Sequence, residues 1–307
     1  TCGLKAVVPL GLSRPASPPP DVPLLSHEAD MNAIDAHCHI WTPDTVKYPL
    51  APGHRRANME PASFTVEQLT AEMQAVDVSR VVLIQMSFYG YDNSYMLDAI
   101  AAHPDKFRGV AVIEQDHGDP AALMTEMQSK GCTGFRIYPK DRNFDTWLSS
   151  DTMHAMWRVG GERGLNMCCL MDPNGLPALD RMCRMFPETP VVIDHMCRIG
   201  VTGEIPPADL KALCDMARHP KLTVKVSAFY ALGKKQPPYA DLGPMIKQLL
   251  EAYGPQRLMW ASDGPYQMQS PHSYKASADL IRSGLPFLSD DDKSWLLEKT
   301  AARVFFS

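Results

Sequence analysis

The sequence predicts an α/β protein, a single (β/α)8 barrel preceded by an extended N-terminal arm. Three observations predict it. From Asn32 onward, short apolar runs alternate with amphipathic stretches. The alternation repeats eight times without a long gap, which calls for a parallel sheet with helical crossovers. Eight such units in a chain of 307 residues fit one closed barrel better than an open sheet. The expected division is an arm over 1–30 and a barrel over 31–307.

The arm comes first. Arg14 to Pro23 holds five prolines and little apolar periodicity, so it reads as extended chain. It lacks the charged and then apolar regions of an intact secretory signal. Met31 stands directly before the first strand and could be a natural start, so a trimmed targeting segment and an irrelevant extension both stay open.

The expected strands are Ala33–Ile34 running to His37, Val81–Met86, Gly109–Ile113, Gly134–Tyr138, Asn166–Met171, Val191–Asp194, Leu222–Val226 and Leu258–Ser262. Their near-continuous hydrophobicity is that of strands buried on both faces. Helices are expected at Thr65–Ala75, Ser94–Ala102, Pro120–Lys130, Asp151–Val159, Leu176–Met185, Ala208–Ala217, Gly243–Tyr253 and Ser289–Val304. Thr65 and Ser289 read as N-caps. Pro120 opens a helix that Gly131 follows.

Composition excludes several classes. A net charge of -5 gives no basic footprint for nucleic acid. No apolar run approaches the roughly 18 residues of a membrane span. The eight cysteines lack the paired CxxC spacing of a structural zinc site. They read as buried, reduced thiols of a cytoplasmic enzyme.

The chemistry-bearing residues stand at strand ends. In Ile34-Asp35-Ala36-His37-Cys38-His39, two histidines two residues apart point to one side of a strand and can share a divalent ion. His195 follows the sixth run and Asp263 the eighth. Singly, His195 reads as a satisfied structural residue and Asp263, before Gly264-Pro265, as a turn residue. Together they end strands one, six and eight, and such ends meet around one barrel mouth.

The pattern of HxH on strand one, Asp194-His195 on strand six and Ser262-Asp263 with Pro265 on strand eight resembles the amidohydrolase-2 branch of the amidohydrolase superfamily. Within it the chain looks most like 2-pyrone-4,6-dicarboxylate lactonases and sugar lactonases. Supporting segments include Val82–Gln85, Gly90–Asn93, Phe107–Ala111 and Val224–Ser227. The resemblance implies that His37, His39, His195 and Asp263 are catalytic and that the same four are the metal set, zinc or manganese, with a metal-independent mechanism as the alternative. It implies that Arg136, and more loosely Arg142, bind substrate; a structural ion pair is the other reading of Arg136. Gln85 and Tyr138 end strands and line the pocket or serve as polar core residues. Asn93 binds substrate or forms an Asx turn.

The chain also departs from the pattern. Strand five, Asn166 to Asp172, has no histidine. Met196-Cys197-Arg198-Ile199 and Gly264 replace residues usual in the branch, so the pocket is altered. The reaction expected is water attack on a small carboxylated or sugar-derived lactone, with Asp263 as general base. The rivals are metal-dependent decarboxylation of an aromatic or unsaturated acid and an inactive barrel used for binding. A small molecule is the expected partner, with neither nucleic acid nor membrane, and homo-oligomerisation stays open.

Overall fold

The computed structural model describes residues 32–115, 118–138 and 143–307. The expected arm and Arg142 lie outside these residues. Eight parallel strands stand in chain order around the molecule. They are β1 (Ala33–Cys38), β2 (Val78–Ile84), β3 (Phe107–Ala111), β4 (Cys132–Ile137), β5 (Asn166–Cys169), β6 (Val191–Ile193), β7 (Leu222–Val226) and β8 (Leu258–Trp260). Each pairs in parallel with the next. The ring is drawn shut by a parallel bridge between Cys38 and Gly264. There the Asp263 N–H donates to the His37 carbonyl at 2.9 Å and the His39 N–H to the Gly264 carbonyl at 2.8 Å.

The strands are apolar because both faces are covered. Ile34, Ala36, Val82, Ile84, Val110, Val192, Met259 and Ala261 form an inner cluster, closed by Phe305 from the last helix. The opposite faces pack against the surrounding helices in a larger cluster that includes Trp157, Leu179 and Trp260. Burial of this kind is the main favourable term in folding.

The helices follow their capping signals. Thr65 caps Val66–Ala75 in a reciprocal box with Gln68. Pro120 opens Pro120–Ser129, and Gly131 follows it at φ 93°. The helix Asp151–Arg163 runs a turn beyond its expected end and stops at the left-handed Gly164. The expected single helix Ser289–Val304 is instead three pieces. Asp290–Ser294 and Thr300–Phe305 flank a wider turn at Trp295–Lys299. Tyr274–Asp279 and Asp145–Ser149 are helices that periodicity did not reveal. No helix of the described residues is long and apolar enough to cross a membrane.

Candidate active site

β1 and β8 place the first two parts of the site. Ile34 and Ala36 belong to the inner cluster, so simple alternation would turn His37 away from it. A register irregularity against β2, between Asp35 and Cys38, reverses the parity. His37 and His39 then face the interior, with their Nε2 atoms 3.3 Å apart. Beneath them Asp35 is fully buried and joins the two strands. It accepts from the Ser262 N–H at 2.8 Å, the His37 N–H at 3.1 Å and the Tyr274 hydroxyl at 2.9 Å. Asp263 takes a left-handed φ of 68°. Its Oδ1 lies 3.4 Å from Nε2 of both His37 and His39. A Cβ on the next residue, Gly264, would come within 3.1 Å of Cys38 Sγ and 2.5 Å of Met268 Cε, so glycine permits the close approach of the two strands.

β6 supplies the third part through an unusual turn. The strand ends at Ile193, and His195, Met196, Cys197 and Arg198 all have φ between 49° and 56°. Left-handed backbone costs a non-glycine residue roughly 1–2 kcal/mol. Here Met196 and Cys197 are wholly buried, so packing holds the turn. The turn brings His195 Nε2 to 3.8 Å from Asp263 Oδ1 and its ring to 4.4 Å from that of His37. The four residues read from strand ends therefore converge.

Several neighbours of these four were given no role from sequence, although Asp194, Lys225 and Ser227 fall within the segments that carry the resemblance. Lys225 on β7 is fully buried, with Nζ 3.2 Å from His37 Nδ1 and 3.0 Å from Asp194 Oδ1. Asp194 lies at the hub, also 3.3 Å from Arg136. Ser227 meets His195 Nδ1 at 2.9 Å. The Tyr230 hydroxyl donates to Asp263 Oδ2 at 2.8 Å. A lysine inside the apolar run LTVKV was the one available signal.

The expected binding residues divide. Arg136 is buried, with one terminal nitrogen 3.1 Å from His37 Nε2 and facing Asp194. Its remaining donors have no partner among the described residues. Tyr138 is 40% exposed beyond the end of β4. Gln85 donates to the Asp92 carbonyl at 2.6 Å. Asn93 donates to the Tyr91 and Val112 carbonyls at 2.9 and 2.8 Å and accepts from the Val112 N–H at 3.1 Å. Gln85 and Asn93 thus fasten loops.

Charges in the centre are sorted by their neighbours. Burial pushes the Asp194 carboxyl up, but Lys225, Arg136 and His37 outweigh it and hold it well below its ordinary value. Burial likewise opposes ionisation of Asp263, yet His195, His39 and His37 keep it below the carboxylate range. Burial, reinforced by Lys225, drives His37 well down, and burial also lowers His195. The result is two anionic carboxylates beside two imidazoles, those of His37 and His195, that resist protonation.

The family model described as amidohydrolase matches residues 34–306. This chain belongs to the amidohydrolase family. The amidohydrolase is similar to the 4-sulfomuconolactone hydrolase of Hydrogenophaga intermedia, at 27% identity over 76% of this chain and 74% of that one. It is also similar to the 2-pyrone-4,6-dicarboxylate hydrolase of Comamonas testosteroni, at 28% identity over 78% of this chain and 79% of that one. A solved amidohydrolase from Burkholderia multivorans with bound zinc superimposes with a TM-score of 0.76 at 20% identity. It covers 90% of this chain and 99% of that one, and at that identity the likeness speaks for the fold alone.

In this amidohydrolase, His37, His39 and Asp263 offer ligand atoms all within 4.8 Å of one another. Two imidazole nitrogens and one carboxylate oxygen suit a borderline divalent ion. A further observation supports the fit. His39 Nδ1 lies 3.0 Å from the Ile84 carbonyl, which can only accept, so Nδ1 carries a proton and Nε2 is the atom turned toward Asp263 with either a lone pair or a second proton. A lone pair facing an anion is repulsive unless a proton or metal ion stands between them. Arg136 competes for the Nε2 of His37.

Proposed function

We propose that this amidohydrolase opens a small lactone by water attack on its ester carbonyl, with Asp263 as general base. The observation that carries the reading is the placement of Asp263 Oδ1, 3.4–3.8 Å from three imidazole nitrogens, while Tyr230 holds Oδ2. The lactone-hydrolysing relatives support the same chemistry.

His37, His39 and Asp263 would hold a divalent ion, zinc or manganese, with His195 beside it. When bound, such an ion supplies polarisation of the ester carbonyl and a more acidic water. Asp263, ionised at neutral pH, accepts a proton from the attacking water through Oδ1. The water oxygen bonds to the acyl carbon, and the ring C–O bond breaks. Asp263 returns the proton to the departing alkoxide. The new carboxylic acid ionises, so each turnover releases one proton to solution. His195, oriented by Ser227 and 3.8 Å from Asp263 Oδ1, would receive the oxyanion through an Nε2 that carries a proton. Lys225 and Arg136 hold Asp194, and Asp194 and Lys225 flank His37 Nδ1, which orients that ring. The donors of Arg136 that have no partner among the described residues are offered to a substrate carboxylate, a geometry guanidinium fits well.

A panel of acidic and neutral lactones, read by proton release before and after exhaustive chelation, tests the proposal. One proton per lactone is expected, with activity lost on chelation and restored by zinc or manganese. Full activity in metal-free buffer would replace the ion by the histidines themselves. Carbon dioxide release from an aromatic acid, with every lactone inert, would favour the decarboxylase reading.

A further inference from the structure

The proposed reaction occupies the C-terminal ends of the strands. At the opposite end lies a cavity of about 550 Å³, within the range of small-molecule sites. It sits where strands begin. Asn166 opens β5, Lys221 precedes β7, Arg257 precedes β8, and Arg303 reaches it from the helix Thr300–Phe305.

The charged side chains of the lining have one sign, and Ser307 lines it beside them. Lys221, Arg257 and Arg303 contribute to it, and no Asp or Glu does. Lys221 has a partner in Glu188, 2.6 Å away and outside the lining. The two guanidiniums have none among the described residues and meet only carbonyls and rings. Arg257 donates through Nε to the Tyr253 carbonyl at 3.0 Å. One of its terminal nitrogens donates to the Ala217 and His219 carbonyls at 2.8 and 3.1 Å. Its Cζ lies 5.2 Å from the Tyr253 ring centre. These contacts lock the side chain and leave its other terminal nitrogen without an acceptor among the described residues. Arg303 donates one terminal nitrogen to the Gln256 carbonyl and lies 5.9 Å from the Trp295 ring centre. In a chain of net charge -5, this concave patch carries the opposite sign.

We infer that this cavity is a second ligand site, for a small oxyanion of two or more charges, held by the free guanidinium edges of Arg257 and Arg303 with Lys221 at the rim. Guanidinium forks match the geometry of phosphate and carboxylate oxygens. Because Arg257 is already fixed by carbonyls and an aromatic ring, little side-chain freedom is lost on binding.

Calorimetric titration of the full chain with inorganic phosphate, at ionic strength held constant with chloride, tests this. One saturable site is expected. Arg303→Gln and the double variant Arg303→Gln/Lys221→Gln change exposed side chains, so they should melt as the parent does without phosphate. Each should weaken phosphate at least about tenfold, as loss of a charged hydrogen bond does. Arg257 is left intact because it ties three chain segments together. Absence of a saturable heat would overturn the proposal. So would equal phosphate affinity in parent and double variant, which would place the anion elsewhere, the active-site mouth included.

Discussion

The two carboxylate oxygens of Asp263 face different partners, and that division is the core of the residue-scale account. Oδ1 looks into the three imidazoles, while Oδ2 takes the Tyr230 hydroxyl at 2.8 Å. A carboxylate fixed at one oxygen presents the other in a single orientation, as a base acting on a bound water requires. Tyr230→Phe keeps the ring and removes that bond. It should lower kcat for the best lactone by about tenfold, with KM within about twofold, because the bond orients the base and does not hold the substrate. A rise in KM with kcat unchanged would make Tyr230 a substrate contact instead. At this scale the sequence was informative where residue type and strand end coincide, as for His37, His39, His195 and Asp263. It was silent on Tyr230 and marked Lys225 only as a lysine inside an apolar run, because only the barrel shows which way Lys225 points and that the loop after β7 reaches Asp263. Gln85 and Asn93 illustrate the opposite case. Their positions suggested either a pocket role or a local one, a polar core residue for Gln85 and an Asx turn for Asn93, and their amides bond loop backbone that would otherwise be buried without partners.

Among elements, the alternation of strands and helices was legible because a parallel strand covered on both faces must be apolar throughout. The irregularities were not. The reversal of parity in β1 depends on its register with β2, and the left-handed turn after β6 has no glycine to mark it. The C-terminal helix has a continuous helical pattern, and its wider turn at Trp295–Lys299 arises in the fold. Elements are also tied by charge. Asp180, on the helix Leu176–Met185, meets His219 Nε2 at 2.6 Å, Arg184 at 2.8 Å and Arg218. Burial raises its pKa, but His219, Arg218 and Arg184 together leave it lowered. A carboxyl whose folded pKa lies below its unfolded value of about 3.9 stabilises the fold above that pH. The contribution is lost as pH falls through the folded value. Asp180→Asn should therefore cost about 1–2 kcal/mol in urea unfolding at pH 7. Its deficit should shrink below about pH 4. A deficit independent of pH would mean that the charge contributes nothing and packing everything.

The whole molecule converts separated sequence segments into one centre. His37 and His39, His195, and Asp263 come from strands one, six and eight, and the closed ring makes the first and eighth neighbours through Cys38 and Gly264. The barrel thereby gathers buried Asp35, Asp194 and Asp263 with buried Lys225 and Arg136. Lys225 and Arg136 keep Asp194 ionised, and the imidazoles of His195, His39 and His37 keep Asp263 so. The central claim is that this carboxylate is the base. Asp263→Asn preserves the shape of the side chain and removes its basicity, so kcat on the best lactone, read by proton release, is the direct measurement. The account predicts a fall of at least about a hundredfold, with circular dichroism and melting temperature near those of the parent. A folded Asp263→Asn protein that hydrolyses the lactone at close to the parental rate would contradict it and turn the search for the base to His195.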